Sequence, residues 1–246
     1  MSEQAARAAK RITSQAFLQI DGEKILETIE RLRRRIDSRF PGSGLGAVCL
    51  DLQRLAHETI AGCRWLARPQ VGLRCLEALL VLATLGAIGA GLVQLQLSWA
   101  KQELVDLVQV LEAAVNIVIL LGAGLYSLIT IERRIKRARA MKTLHQMRSL
   151  AHVVDLHQLT KDPERLDPTW VQSGASPQET MSALQLDRYL DYSSEMLALV
   201  GKLAALQAQV FHDPVVLAGV TQVEALAASL SQKIWQKILV LKAMTR

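Results

Sequence analysis

The sequence predicts an all-α membrane protein: a two-helix transmembrane hairpin, a cytoplasmic helical bundle, and a C-terminal antiparallel coiled-coil hairpin. Three observations lead there. The 246 residues are 50% apolar with a mean hydropathy of +0.20, too high for a disordered chain and unusual for a wholly soluble one. The apolar residues concentrate in two long runs nearly free of charge. Elsewhere they recur at helical spacings of three and four. With 14 Gly, 6 Pro and 3 Cys, collagen-like, low-complexity and disulfide-scaffold architectures are excluded.

Three parts follow: N-terminal amphipathic helices over 1–68, the membrane hairpin over 69–131, and a C-terminal cytoplasmic helical domain over 132–246. In the first, Ala5, Ala9, Ile12, Ala16 and Ile20 form one apolar stripe. Asp21 then stands as an N-cap before a sharper amphipathic helix carrying Ile25, Leu26, Ile29, Leu32, Ile36 and Phe40 on one side. Its other side offers Glu27 to Arg31 and Glu30 to Arg34 at i,i+4, so the basic cluster reads as an ion-paired, solvated face, with anionic lipid headgroups as the alternative contact, rather than a nucleic-acid surface. Pro41, Gly42, Ser43 and Gly44 break that helix, and a third runs from about Leu45 to Ala67, before Pro69. The first 20 residues hold Arg7, Lys10 and Arg11 but no apolar core, so no cleaved secretory signal is expected.

The run 78–98 contains no formal charge across 21 residues, enough at about 1.5 Å each to cross a hydrocarbon core of roughly 30 Å. A second span, 107–131, carries one acid, Glu112, and an outer loop over 99–106 joins the two. Arg64, Arg68 and Arg74 precede the hairpin; Arg133, Arg134, Lys136, Arg137, Arg139 and Lys142 follow it. The connecting segment holds Lys101 alone. That asymmetry puts both termini in the cytoplasm, most naturally beneath a bacterial inner membrane, with Arg133, Arg134, Lys136, Arg137 and Arg139 as lipid-headgroup contacts. Trp99, Trp65 and Tyr126 suit interfacial anchoring.

Nothing breaks the helical pattern between about Glu103 and Gln158, so the second span is expected to continue as a long helix, with Met141, Leu144, Ala151 and Val154 as its buried side. A linker follows through Asp162-Pro163, Asp167-Pro168 and Gly174. The hairpin predicted over 177–244 opens with Ser176, Pro177 and Glu179 as a capping box. Tyr189, Tyr192, Met196, Leu199, Leu203, Leu206 and Val210 form one seam. After Asp213-Pro214, Val216, Val220, Val223, Ala227, Leu230 and Ile234 form the other, with Ala227 its one small member.

Within the membrane, antiparallel register sets Glu112 opposite Ala90 and Asn116 opposite Gly86. Two polar groups one turn apart thus face a groove of small residues. They are expected to tie helices together, or, in an assembly of hairpins, to line a water-filled path. Local metal motifs fail on geometry: His145 and His152 lie about 10 Å apart along a helix, and CxxC and HExxH are absent. An inter-helix site is conceivable from His152, Asp155, Asp187 and Asp191, with Glu195 extending the acidic stripe. The three cysteines read as reduced thiols, two buried and Cys75 at the membrane boundary. Phosphate-loop, dinucleotide and nucleophile-elbow signatures are missing.

The functional expectation is a non-catalytic scaffold, adaptor or regulatory protein without a cofactor. Its partners would be the lipid bilayer, further copies of itself, and a cytoplasmic protein docking on helical faces. An oligomeric ion channel is the first alternative and a metal-dependent cytoplasmic enzyme the second.

Overall fold

The computed structural model describes residues 19–68, 71–97, 104–166 and 181–245. Every regular element among them is helical: α1 (Gly22–Arg39), α2 (Gly44–Ala67), α3 (Val71–Leu97), α4 (Leu104–Leu159), a 3-10 turn (Pro163–Leu166), α5 (Ala183–Val210) and α6 (Pro214–Met244). The expected helix over residues 5–20, the outer loop around Trp99 and Lys101, and the Ser176 capping box lie outside the described residues.

Contacts divide the chain into two units, one of Met1–Ala67 with Arg139–Arg246 and one of Arg68–Ala138. The first is a helical bundle. It starts at Asp21, whose carboxylate accepts the Glu23 N–H at 2.9 Å and so satisfies an amide that the first turn of α1 leaves open. Ile25, Ile29, Leu32 and Ile36 are buried, as their spacing requires. The chain reverses through Gly42 at φ 70, a left-handed value that glycine adopts without the steric cost a side chain would bring. Ser43 then caps α2, its Oγ accepting the Gly46 N–H at 3.3 Å.

Of the two ion pairs expected on α1, Glu27 holds Arg31 at 3.5 Å. The second is corrected: Arg34 turns to the backbone carbonyl of Glu30, whose carboxylate instead accepts from Gln53 of α2 at 3.3 Å. Inter-helix contact wins because Gln53 is brought alongside by helix packing. Arg35 leaves the helix face altogether, with Nη2 reaching both oxygens of Glu195 at 2.5 and 2.6 Å and the guanidinium 5.0 Å from the Tyr192 ring centre.

Helix α5 is the centre of the bundle, touching α1, α2 and most extensively α6. It begins with a capping box in which Ser182 and Gln185 bond reciprocally. The seam Tyr189, Tyr192, Met196, Leu199, Leu203 and Leu206 is buried, but so is a second stripe, Leu186, Leu190, Leu197, Val200 and Ala204. A single heptad row therefore understates this helix, because it has neighbours on more than one side. The α6 row Val216, Val220, Val223, Ala227, Leu230 and Ile234 is buried and continues through Ile238 and Leu241. Asp213 caps α6 by accepting the Val215 and Val216 N–H groups, and Pro214 sits where no intrahelical donor is needed.

The C-terminal part of α4 enters the same core through Ala140, Leu144, Met147, Leu150, Ala151 and Val154, with Met141 partly buried. A close approach occurs at Gly219 of α6, where an added Cβ would stand 3.0 Å from Leu144 Cδ1 and 3.3 Å from Met141 Sδ. At its end, α4 is capped from another helix. Lys237 Nζ of α6 donates to the carbonyls of Gln158, Lys161 and Leu159 at 3.1, 3.4 and 3.5 Å, and pairs with Asp162 at 2.9 Å. A cation at a helix C-terminus meets the carbonyls that have no intrahelical partner.

The second unit comprises α3 and α4 up to Ala138. None of its described side chains is buried; Leu79, Leu82, Leu85, Ile119 and Leu120 are 60 to 72% exposed. Its apolar stretches are Ala78–Ala90 and Val115–Gly124. The one described helix that meets length and composition criteria for crossing a membrane is α6, whose apolar row lies in the bundle core.

Candidate functional site

Glu112, Asn116, Gly86 and Ala90 are all exposed on α3 and α4. No described contact joins them, and an added Cβ at Gly86 would meet nothing within 4 Å. Of the basic residues after the second apolar run, Arg133 and Arg134 are exposed. Lys136 is turned inward. Its Nζ lies 2.8 Å from Glu132 and donates to the Arg68 carbonyl at 3.1 Å, and only 12% of its side chain is exposed, which removes it from the headgroup-facing set. Arg137 is half-buried and engaged within the molecule. Arg139 covers Trp65 with its guanidinium 4.6 Å from the ring centre. Trp65 is thereby half-buried within the bundle, whereas Tyr126 is 74% exposed.

The inter-helix metal site is not assembled. Among the described residues no three His, Cys, Asp or Glu side chains are grouped to hold an ion. His152 is exposed and Asp187 half-buried, Asp155 accepts from Gln158 Nε2 at 2.7 Å, and Asp191 pairs with Arg188 at 3.3 Å. Glu195 is held by Arg35. Nearby donors hold Asp155, Asp191 and Glu195 without a cation, whereas Asp187 Oδ1 is buried without a hydrogen-bond partner among the described residues.

Cys49 and Cys63 are buried and Cys75 is exposed. Burial pushes the Cys49 thiol from 9.0 up to about 12, with nearby Asp37 adding and Arg33 opposing. Burial alone raises Cys63 to about 11. Both are neutral thiols without nucleophilic character near neutral pH.

A feature that periodicity does not reveal lies where the α1–α2 turn meets the end of α4 and the start of α5. A cavity of about 680 Å³ is bounded there by Arg39, Ser43, His157, Thr160, Lys161 and Tyr189, with Phe40, Leu156 and Met181 supplying apolar wall. Its geometry is built from the sequence upward. Gly44, the first residue of α2, has no side chain, and an added Cβ would stand 2.8 Å from Cδ2 and Nε2 of His157. Glycine alone lets that ring lie so close. His157 Nδ1 is 2.9 Å from the Val153 carbonyl, which can only accept, so Nδ1 carries the proton and Nε2 is left on the side of Gly44. The Tyr189 hydroxyl donates to the His157 carbonyl at 3.2 Å, and its ring packs edge-on to Phe40 at 5.7 Å. Lys161 Nζ lies 5.6 Å from the Tyr189 ring centre. The sequence signals were a glycine immediately after a turn and a basic residue at each helix end. Neither is distinctive alone.

No protein-family model matches this sequence, and no curated protein and no solved structure is found to be similar to it.

Proposed function

We propose that this chain is an integral membrane protein in which the hairpin 78–98 and 107–131 anchors a cytoplasmic helical bundle. In this reading it acts as a non-catalytic scaffold, adaptor or regulatory protein. The observation that carries the proposal is one of connectivity. Helices α1 and α2, which precede the hairpin in the chain, share one core with α5 and α6, which follow it. A shared core requires an even number of membrane crossings between them, which supports two spans with the flanking segments on one side. The large apolar side chains exposed along α3 and the first part of α4 add support, since water does not tolerate so much contiguous apolar surface and hydrocarbon does. Helix α6 is apolar for a different reason: its row serves the core, in the coiled-coil pairing expected with α5.

Copies of the chain are the partners this reading assigns to the hairpin. Glu112 and Asn116 are exposed polar groups on an apolar helix, and in hydrocarbon such groups need hydrogen-bonding partners. The same observation favours a second reading, a pore lined by these two residues. Cytoplasmic termini follow from the charge asymmetry of the flanks, and a bacterial inner membrane is the residence this reading assigns.

Topology mapping tests the proposal. Single cysteines replacing Lys101, Arg31 or Trp235 in a Cys75→Ser background are treated in intact cells with an impermeant maleimide. Position 101 should label, whereas positions 31 and 235 should label only after permeabilisation, and alkaline carbonate should leave the protein in the membrane fraction. Release by carbonate, or positions 31 and 235 on opposite sides, sinks the anchor. Liposomes containing the purified protein should pass no current; conductance altered in selectivity by Glu112→Gln would establish the pore instead.

A further inference from the structure

We propose that the outward face of α6 is a self-association surface, on which a second copy of the chain packs antiparallel with Trp235 beside the two-fold axis. Burial of the core row accounts for only part of the apolar character of this helix. Across 31 residues it carries four charges, Glu224, Lys233, Lys237 and Lys242, and Lys237 is turned to the end of α4. At about 100° per residue, Leu217, Glu224, Ala228, Trp235, Leu239 and Lys242 fall within about 60° of one another, and all six are exposed. Lys233 stands about 160° round the axis from Trp235 and so lies outside this stripe. Within it Leu217, Trp235 and Leu239 are 38, 52 and 62% exposed. Large apolar side chains aligned on one exposed face mark an interaction surface, whereas singly scattered ones do not.

The two charges on the stripe select the occupant and its direction. Glu224 and Lys242 are separated by five whole turns, so they share one edge of the helix about 27 Å apart. Neither forms an ion pair among the described residues. In an antiparallel pair related by a two-fold axis, each edge of one helix meets the same edge of the other in reverse order. Centring the axis at position 233 therefore brings Glu224 of each copy to Lys242 of the other, giving two reciprocal ion pairs. A parallel pairing sets Glu224 against Glu224 and Lys242 against Lys242, and like-charge juxtaposition opposes it. The antiparallel register also lays Leu239 over Ala228, which has little bulk to exclude it, and sets the two Trp235 side chains about 6 Å apart along the axis. An aromatic anchor at the centre with charges at the rim is the anatomy of a protein interface. The surface lies on the bundle and not on the hairpin, so the proposal stands however the hairpin is read.

The experiment cross-links the full chain in a non-ionic detergent with copper phenanthroline, in a Cys75→Ser background that leaves only the buried Cys49 and Cys63. Ala225 and Ala243 are exposed and five turns apart on one side of α6, so the antiparallel register brings position 225 of one copy within a turn of position 243 of the other. Chains carrying Ala225→Cys and Ala243→Cys together should form disulfide-linked dimers whose proteolytic peptides join 225 to 243. Chains carrying either substitution alone should not, because identical positions then stand about 24–30 Å apart along the axis. Adding Lys242→Glu should lower the yield about fivefold, and Glu224→Lys on top of it should restore the yield by reversing both pairs. Trp235→Asp should abolish the cross-link. Thermal melting of each variant separates loss of pairing from loss of fold. A folded double-cysteine chain without the 225 to 243 link, whether monomeric or held together through the hairpin alone, overturns the proposal. So do cross-links of equal yield from the single-cysteine chains, which parallel pairing would give, or failure of Glu224→Lys to rescue a folded Lys242→Glu chain.

Discussion

Replacing Lys237 by methionine keeps the aliphatic stem of the side chain and removes only the ammonium that closes α4. That ammonium donates to three carbonyls at 3.1 to 3.5 Å, with its side chain only 21% exposed, so it is held largely away from water. A hydrogen bond to a charged group contributes about 1.5–3 kcal/mol, and a cation at a partly buried helix C-terminus up to about 2 kcal/mol; both describe the same contacts here and do not add. The pair with Asp162 contributes little more, because that carboxylate is 46% exposed and screened, leaving about 0–1 kcal/mol. Lys237→Met should therefore destabilise the bundle by about 2 kcal/mol, which for a chain of this size lowers the melting temperature by about 4–8 °C. Circular dichroism of the detergent-solubilised protein reads this directly. Lys237→Arg, which retains a donor, should recover most of the loss, and Asp162→Asn should cost less than half as much as Lys237→Met. A Lys237→Met melt within a degree of wild type would refute the capping argument. Equal losses from Asp162→Asn would relocate the effect to the ion pair.

Gly44→Ala should destabilise by about 1–3 kcal/mol through overlap with the His157 ring 2.8 Å away, although alanine is the better helix former; adding His157→Ala should restore most of it in a double-mutant cycle. Leu203→Ala, at a fully buried site, should cost about 2–5 kcal/mol in the bundle's unfolding, whereas Leu82→Ala, 67% exposed on α3, should change it by no more than about 0.5 kcal/mol. A folded-state maleimide assay should modify Cys75 and spare Cys49 and Cys63 until denaturant is added. The raised thiol values also set a sign with pH. Stability from burying neutral thiols is complete below 9.0 and is lost as pH rises through about 11 and about 12, so wild type should lose more stability above pH 9.0 than Cys49→Ala/Cys63→Ala does.

Helical periodicity was enough to locate α1, α2, the long α4, and the two rows of the C-terminal helices, because a stripe at spacings of three and four has only one secondary structure that can bury it. The cap at Asp21 was equally legible, since its partner lies within three residues, and Asp213-Pro214 marked where the last helix begins. What periodicity could not supply was the identity of neighbours. The second buried stripe on α5, the turning of Arg35 to Glu195, the inward Lys136 and the cation of Lys237 at the end of α4 all depend on groups 4 to 160 positions away in sequence, most of them far apart. The acidic stripe illustrates the same point from the other side: sequence shows that Asp187, Asp191 and Glu195 share a face, and only the fold shows that Arg188 reaches Asp191 and Arg35 reaches Glu195.

By itself, then, the order of residues determined that this chain is helical, which faces of its helices are apolar, and where its uncharged runs fall, because each of these is a property of a few consecutive turns. Tertiary structure decided that segments from both sides of the apolar pair close into one core, and that Arg39, Lys161 and His157 border a single cavity. Those outcomes depend on which distant surfaces meet, and a one-dimensional pattern carries the hydrophobic drive toward such a meeting without its address.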